Sequence, residues 1–208
     1  MRSGPTSTAG VDAIAALPPS YFYKPDQTGL VCHYTELAGA SEVPLLIYNL
    51  PQRTGITMTR ELFDELLQVD NIIGMKDSSG DIYSMGKFLE GDDKPVVFNG
   101  EDTVLLCGLL AGACGGIGAT YNVTPDLFVQ LWQAVQAGDL EQVARIQSRL
   151  HQCWNATGVV ELFAGIKQTL AWMGLECGIP RSPLRALTDG ERERLRGALD
   201  RIDFFGHR

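Results

Sequence analysis

Five short apolar runs, at residues 11–17, 44–49, 72–76, 95–99 and 115–118, alternate along this chain with amphipathic stretches, and that alternation constrains the fold more than any other feature. Runs of this length that end in turn formers read as buried strands; Asn71-Ile72-Ile73-Gly74-Met75-Lys76, closed by Asp77-Ser78-Ser79-Gly80, is one. Helical patterns near residues 27–40, 59–68, 81–90 and 101–111 fall between the runs. Strand–helix alternation predicts βα units, hence an α/β fold with a parallel sheet and helices on its outer face. Beyond Gly118 the pattern turns helical. Thr124-Pro125-Asp126 opens a helix with proline in its first turn, and Gly138 is a plausible stop. Leu140, Val143, Ile146, Leu150 and Trp154 recur at helical spacing, and another helix is predicted over residues 160–173. Thr188 with Glu191 forms a capping box ahead of a charged helix carrying Leu195, Leu199 and Ile202.

With 208 residues, 45% of them hydrophobic, one sizeable core and one domain are expected, with the sheet in residues 1–138 and a helical extension of the same domain in 139–208. A net charge of −8 excludes a basic nucleic-acid footprint. The almost uncharged stretch 104–120 carries five glycines and falls short of the ~20 residues a membrane helix needs, so it reads as buried strand and helix. The N-terminus has no apolar signal-peptide core. Five scattered cysteines (Cys32, Cys107, Cys114, Cys153, Cys177) show no metal-ligand spacing and read as reduced, buried thiols. These features suit a soluble cytoplasmic protein with neither a nucleic-acid nor a membrane partner.

Lys76 carries the sharpest chemical suggestion. A lysine closing a buried strand stands against a low-dielectric core, and burial can bring a lysine pKa from about 10.4 toward 7–8, where the amine is a nucleophile near neutral pH. That is the requirement of a Schiff-base enzyme. The alternative is an amine that snorkels to solvent along its stem. The other lysines lie beside a proline (Lys24), in polar surroundings (Lys87, Lys94) or within a helical pattern (Lys167). Tyr48, which ends Leu45-Leu46-Ile47, is either a proton relay or a packed phenol. Arg53 either clamps a carboxylate or is solvated. Gly100-Glu101-Asp102 either meets a hydroxylated ligand or caps a helix. The glycines of 112–118 fit no nucleotide motif and suit close backbone approach.

Together these strings resemble the pyruvate-dependent class I aldolases that include dihydrodipicolinate synthase and N-acetylneuraminate lyase, over nearly the whole chain after Val11. The anchors are Tyr48-Asn49-Leu50-Pro51, then Ile73-Gly74-Met75-Lys76-Asp77-Ser78-Ser79-Gly80-Asp81, Asn99-Gly100-Glu101-Asp102, and Gly115-Gly116-Ile117-Gly118-Ala119-Thr120-Tyr121-Asn122. The resemblance implies a (β/α)8 barrel and a lysine Schiff-base lyase acting on pyruvate or a related 2-oxo acid, breaking or making a carbon–carbon or carbon–oxygen bond. It makes Lys76 the imine-forming residue and Tyr48 the proton shuttle. Ser78 matches a hydroxyl that contacts substrate, Gly100 and Ile117 line the pyruvate pocket, and Arg53 matches an arginine that meets a substrate carboxylate. Asp102 looks closer to the sialic acid lyases. Tyr21, in the aromatic string 20–23, matches a residue that crosses a dimer interface, so a homo-oligomer (dimer or tetramer) is implied. Neither a metal nor an organic cofactor is implied, because the lysine provides the electron sink.

Departures from the family pattern set further expectations. Its glycine-threonine-rich motif, which binds the pyruvate carboxylate, has no counterpart here, and Thr103 and Ala119 replace two polyol contacts of the sialic acid lyases. A generic 2-oxo-acid lyase or dehydratase is therefore favoured over a sialic acid lyase. Five strands stand where such a barrel has eight in about 250 residues. Residues 2–9 resemble the end of a third barrel strand running directly into Gly10-Val11. The expectation is an N-terminally truncated member, whose open sheet exposes two edges and one wall. Either another chain covers that wall, or the protein is poorly stable, or it is a degraded product. The alternative is a catalytically inactive truncated relative that acts only as an interaction partner or has no function.

Overall fold

A computed structural model of the chain describes residues 10–21, 24–91 and 94–206. Residues 2–9 and the pair Phe22-Tyr23, on which two of the expectations above rest, lie outside the described residues. The chain divides into two compact units, Met1–Ile117 and Gly118–Arg208.

The first unit is a five-stranded parallel sheet in the order β1-β2-β3-β4-β5. Its strands are β1 (Ile14–Ala16), β2 (Leu45–Asn49), β3 (Ile72–Asp77), β4 (Val96–Asn99) and β5 (Gly115–Gly116). The helices between them are α1 (Gln27–Gly39), the single turn α2 (Pro51–Thr54), α3 (Arg60–Leu66), α4 (Ile82–Phe88) and α5 (Leu105–Ala111). Every predicted strand is present, and the first and last are shorter than expected. The predicted helix over 101–111 begins as a 3-10 turn, Asp102–Val104, capped by the Glu101 carboxylate.

Alternation along each strand sends Leu45, Ile47, Met75 and Val97 into one core with Tyr34, Phe63, Leu66 and Met85. Tyr34 is fully buried, and burial pushes its phenol well above the usual range; the hydroxyl donates to Ala16 O at 3.2 Å. The other face of the sheet carries Ala15, Leu46, Gly74 and Val96 in one row and Tyr48, Lys76, Phe98 and Gly115 in the next. An extra residue in β3 shifts the β2–β3 register between Leu45 and Leu46, so Leu45 pairs with Ile72 and Leu46 with Gly74. Gly74 has no substitute: a Cβ there would stand 1.8 Å from Val96 O.

Helix starts follow the local chemistry. Asp26, Thr59 and Asp81 each accept a backbone N–H three residues on, satisfying donors the helix itself cannot reach.

The second unit holds α6 (Pro125–Ala137), α7 (Leu140–Thr157), α8 (Leu162–Trp172) and α9 (Asp189–Arg201). Gly138 closes α6 in the left-handed conformation, as the sequence predicts. Val143, Ile146 and Leu150 of the α7 stripe are buried, whereas Leu140 at its first turn is exposed. The capping box of Thr188 and Glu191 is formed, and Leu195 and Leu199 are fully buried. Arg185 joins that cap through its two terminal guanidinium nitrogens, and with Thr188 it holds the Glu191 carboxyl well below the usual carboxylate range.

The cysteines correct one expectation. None of the five is in a disulfide, but only Cys153 is buried; Cys32, Cys107, Cys114 and Cys177 are exposed. Cys32 and Cys107 lie on the solvent faces of α1 and α5, where a small thiol costs little. No helix among the described residues is long and apolar enough to cross a membrane.

Candidate active site

Lys76 is the penultimate residue of β3 and Tyr48 of β2, and the two are register partners. Parallel pairing turns both side chains to the same face of the sheet. Lys76 Nζ donates to Tyr48 Oη at 2.8 Å and lies 4.0 Å from the ring centroid. Both residues are half-buried, so amine and phenol are held by the sheet yet open on one side.

Ser78 follows immediately, with its backbone N–H donating to Asn49 O at 2.8 Å. Its hydroxyl is buried and has no hydrogen-bond partner among the described residues. Gly100, one strand over, donates its N–H to Asp77 O at 2.7 Å. A Cβ at Gly100 would lie 2.1 Å from Ser78 Oγ and 2.9 Å from Lys76 Cε. Glycine is therefore what lets β4 close against the amine and the hydroxyl. Ile117 extends the row: its N–H donates to Asn99 O at 2.9 Å, and its side chain is 42% exposed.

The remaining expected residues stand on flanking turns. Arg53 is exposed on α2, whose neighbouring Gln52 donates to Ser79 O at 2.6 Å and so ties α2 to the loop after β3. Asp102 begins the 3-10 turn after β4 and is half-buried. Tyr21 is 89% exposed on the segment leading into α1. The structure thus gathers Lys76, Tyr48, Ser78 and Gly100 at one point, with Ile117 on the adjoining strand end and Arg53 and Asp102 on the loops that follow β2 and β4.

One group escaped the sequence reading. Asn49, Asp77 and Asn99 close β2, β3 and β4, pair with one another in register, and are 4%, 0% and 0% exposed. Asp77 accepts from Asn49 Nδ2 at 2.8 Å, from Ser79 N at 3.0 Å and from Ser79 Oγ at 3.1 Å. Burial pushes the Asp77 carboxyl up from its ordinary value, against the pull of those hydrogen bonds, and no cation is paired with it among the described residues. The only signal in the sequence was a short polar residue after each of Tyr48, Lys76 and Phe98, and its meaning depends on strand register. Among the described residues no cluster of three or more His, Cys, Asp or Glu side chains could hold a metal ion.

A primary amine, a phenol in hydrogen-bond contact with it and a buried hydroxyl alongside are the groups that imine chemistry on a small carbonyl compound uses. Residues 4–202 match the dihydrodipicolinate synthetase family. N-acetylneuraminate lyase from Rhizobium meliloti is 37% identical over 191 residues, covering 92% of this chain and 63% of that protein. The 4-hydroxy-tetrahydrodipicolinate synthase of Archaeoglobus fulgidus is 31% identical over 196 residues, covering 94% and 68%. Among solved structures, the Ruminococcus gnavus sialic acid aldolase superposes with a TM-score of 0.86 at 32% identity, over 95% of this chain and 67% of that one. The chain spans about two thirds of the length of these relatives, and 63% of the Rhizobium protein. By sequence and by fold, this chain belongs to the dihydrodipicolinate synthetase family.

Proposed function

We propose that this chain is a Schiff-base-forming lyase or aldolase acting on pyruvate or a related 2-oxo acid. The observation that carries the reading is the 2.8 Å contact between Lys76 Nζ and Tyr48 Oη at adjacent strand ends. The neutral amine adds to the ketone carbon, and the resulting carbinolamine loses water to give the imine. Tyr48, within reach of the amine, delivers a proton to the departing hydroxyl and takes one from the nitrogen. Once protonated, the imine accepts the electron pair of the neighbouring carbon–carbon bond, which breaks to leave an enamine as the β-hydroxyl gives up its proton and becomes an aldehyde. For carbon–oxygen cleavage it instead accepts the pair of an adjacent C–H bond as that proton is lost, and the enamine expels the β-hydroxyl, protonated, as water. In the reverse sense, the enamine attacks an aldehyde.

The unpartnered Ser78 hydroxyl is suited to donate to the substrate carboxylate, and Gly100 and Ile117 to wall the 2-oxo acid. Arg53 suits a second carboxylate, and Asp102 a hydroxyl of a longer substrate. A solved relative described as a catalytic lysine mutant of a sialic acid aldolase, 32% identical to this chain, supports a lysine-centred reaction. Relatives of this chain are named N-acetylneuraminate lyase and 4-hydroxy-tetrahydrodipicolinate synthase, and the generic 2-oxo-acid reading covers both. Exposed thiols outside any disulfide favour a reducing, cytoplasmic location. Tyr21, almost wholly exposed, suits contact with a second copy in a homo-oligomer.

The test is intact-mass spectrometry after incubation with pyruvate and borohydride, followed by peptide mapping. Reduction of the imine should leave a stable adduct on Lys76 that is absent from Lys76→Ala. A folded sample that forms no adduct, or forms it on another lysine, overturns the proposal.

A further inference from the structure

The geometry points to the buried row Asn49–Asp77–Asn99 as the positioning layer of the site, with Asp77 as its central positioning residue. The inference deepens the imine reading above and rests on it. Each member does two jobs. Through its backbone carbonyl it fixes the first residue past the end of the next strand: Asn49 O holds Ser78, Asp77 O holds Gly100 and Asn99 O holds Ile117, at 2.8, 2.7 and 2.9 Å. Through its side chain it ties the strand ends and their loops together. Asn49 donates to Asp77, Asp77 accepts both the backbone N–H and the hydroxyl of Ser79, and Asn99 Nδ2 donates to Glu101 O at 2.7 Å.

Apolar side chains would fill this position at less cost, because a buried polar group is expensive unless its partners are fixed. What a polar row supplies is registry. Van der Waals packing tolerates small slides of one strand along another, whereas directed bonds between neighbouring strands do not. Alternation places Tyr48, Lys76 and Phe98 one residue before the row, on the reacting face, so any slide of β3 against β2 moves the amine from the phenol. The helix layer is cut to fit the row as well. A Cβ at Gly108 of α5 would stand 2.8 Å from Asn99 Oδ1 and 2.9 Å from its Cβ. Asn99 Oδ1 is itself buried with no donor among the described residues, beside the register partner Asp77.

Asp77→Ala and Asp77→Asn test the inference, with Asn49→Ala as a milder cut should Asp77→Ala fail to melt cooperatively. An amide at position 77 can accept from Asn49 and from Ser79 N through its oxygen and donate to the Ser79 hydroxyl, so the row survives Asp77→Asn. Pyruvate–borohydride trapping should fall roughly 10²-fold in Asp77→Ala, at saturating as well as low pyruvate, and return to within roughly threefold of wild type in Asp77→Asn. A second readout is independent of pyruvate. Limiting acetic anhydride, mapped by peptide mass, reports Lys76 acetylation relative to the exposed Lys24 and Lys87. In Asp77→Ala and Asn49→Ala that ratio should move toward one as Lys76 leaves its contact.

Failure of wild type to trap pyruvate, with the acetylation ratio still responding to the variants, sinks the imine reading and leaves the layer standing. Folded Asp77→Ala and Asn49→Ala proteins with wild-type trapping and wild-type acetylation ratios overturn the layer. Equal loss of trapping in Asp77→Ala and Asp77→Asn also overturns it, since the charge rather than the bonding would then matter.

Discussion

Gly100→Ala is the sharpest probe of how closely the site is assembled. Ordinary contact begins near 3.4 Å, so a methyl group 2.1 Å from Ser78 Oγ and 2.9 Å from Lys76 Cε requires shifts of about 1.3 and 0.5 Å (3.4 − 2.1 and 3.4 − 2.9). Ser78 is 5% exposed, and its hydroxyl can retreat only into another staggered well. Overpacking of this kind costs about 1–3 kcal/mol. At roughly 2–4 °C per kcal/mol for a chain of this size, the melting temperature should fall by roughly 2–12 °C. Displacing the amine stem and the hydroxyl together should slow pyruvate–borohydride trapping by roughly 10²-fold. The assay is a melting curve with a trapping time course on the same preparation. Adding Ser78→Ala to Gly100→Ala removes the closest clash, so the double variant should regain stability with a coupling of about 0.5–3 kcal/mol. Wild-type melting and trapping in Gly100→Ala would refute the close approach, and additive losses in the double variant would show that Ser78 is not what the methyl group strikes.

Tyr48→Phe removes the phenol hydroxyl from Lys76 while keeping the ring, so trapping should slow by roughly 10²–10⁴-fold with a stability change of about 1 kcal/mol; rate and melting curve check both. Gly74→Ala places a Cβ 1.8 Å from the backbone oxygen of Val96, which cannot rotate away, and should abolish cooperative unfolding by circular dichroism. The raised Asp77 carboxyl favours the fold most below the unfolded-state value of about 3.9, and this contribution is lost as pH rises through the folded-state value. Asp77→Asn should therefore gain stability relative to wild type as pH increases, seen as a growing difference in melting temperature. The opposite sign holds for Glu191, whose lowered carboxyl stabilises above about pH 4.3 and loses that effect as pH falls; Arg185→Ala should flatten the acid-side loss of stability in the same measurement.

Much of this architecture was legible because it is local. Strands such as Leu45–Asn49 and Ile72–Asp77 open on apolar runs, Leu45-Leu46-Ile47 and Ile72-Ile73-Gly74-Met75, and the caps at Thr188 and Gly138 need only a few neighbouring residues. Lys76 and Tyr48 were found for the same reason, since each closes its own run. Short elements were missed or blurred. Pro51–Thr54 is one helical turn, too brief to show a period, and Gly115–Gly116 has no side chains with which to show alternation. The exposed cysteines escaped because a thiol's apolar character says little about which face of a helix it occupies.

The row beneath the site was illegible for a different reason. Asn49, Asp77 and Asn99 each look like an ordinary polar strand terminus, and only the pairing of three strands far apart in sequence makes them one group. The same holds for the glycines. Gly100 follows Asn99 on the reacting side and admits Ser78 and Lys76, while Gly108 lies across the helix layer and admits Asn99. Both glycines read along the chain as turn or packing residues, and both prove to be spaces shaped for a particular neighbour. A site at the ends of parallel strands is therefore specified twice: once by the reactive side chains that alternate onto its face, and again by the polar residues and missing methyl groups that set how closely those strands approach.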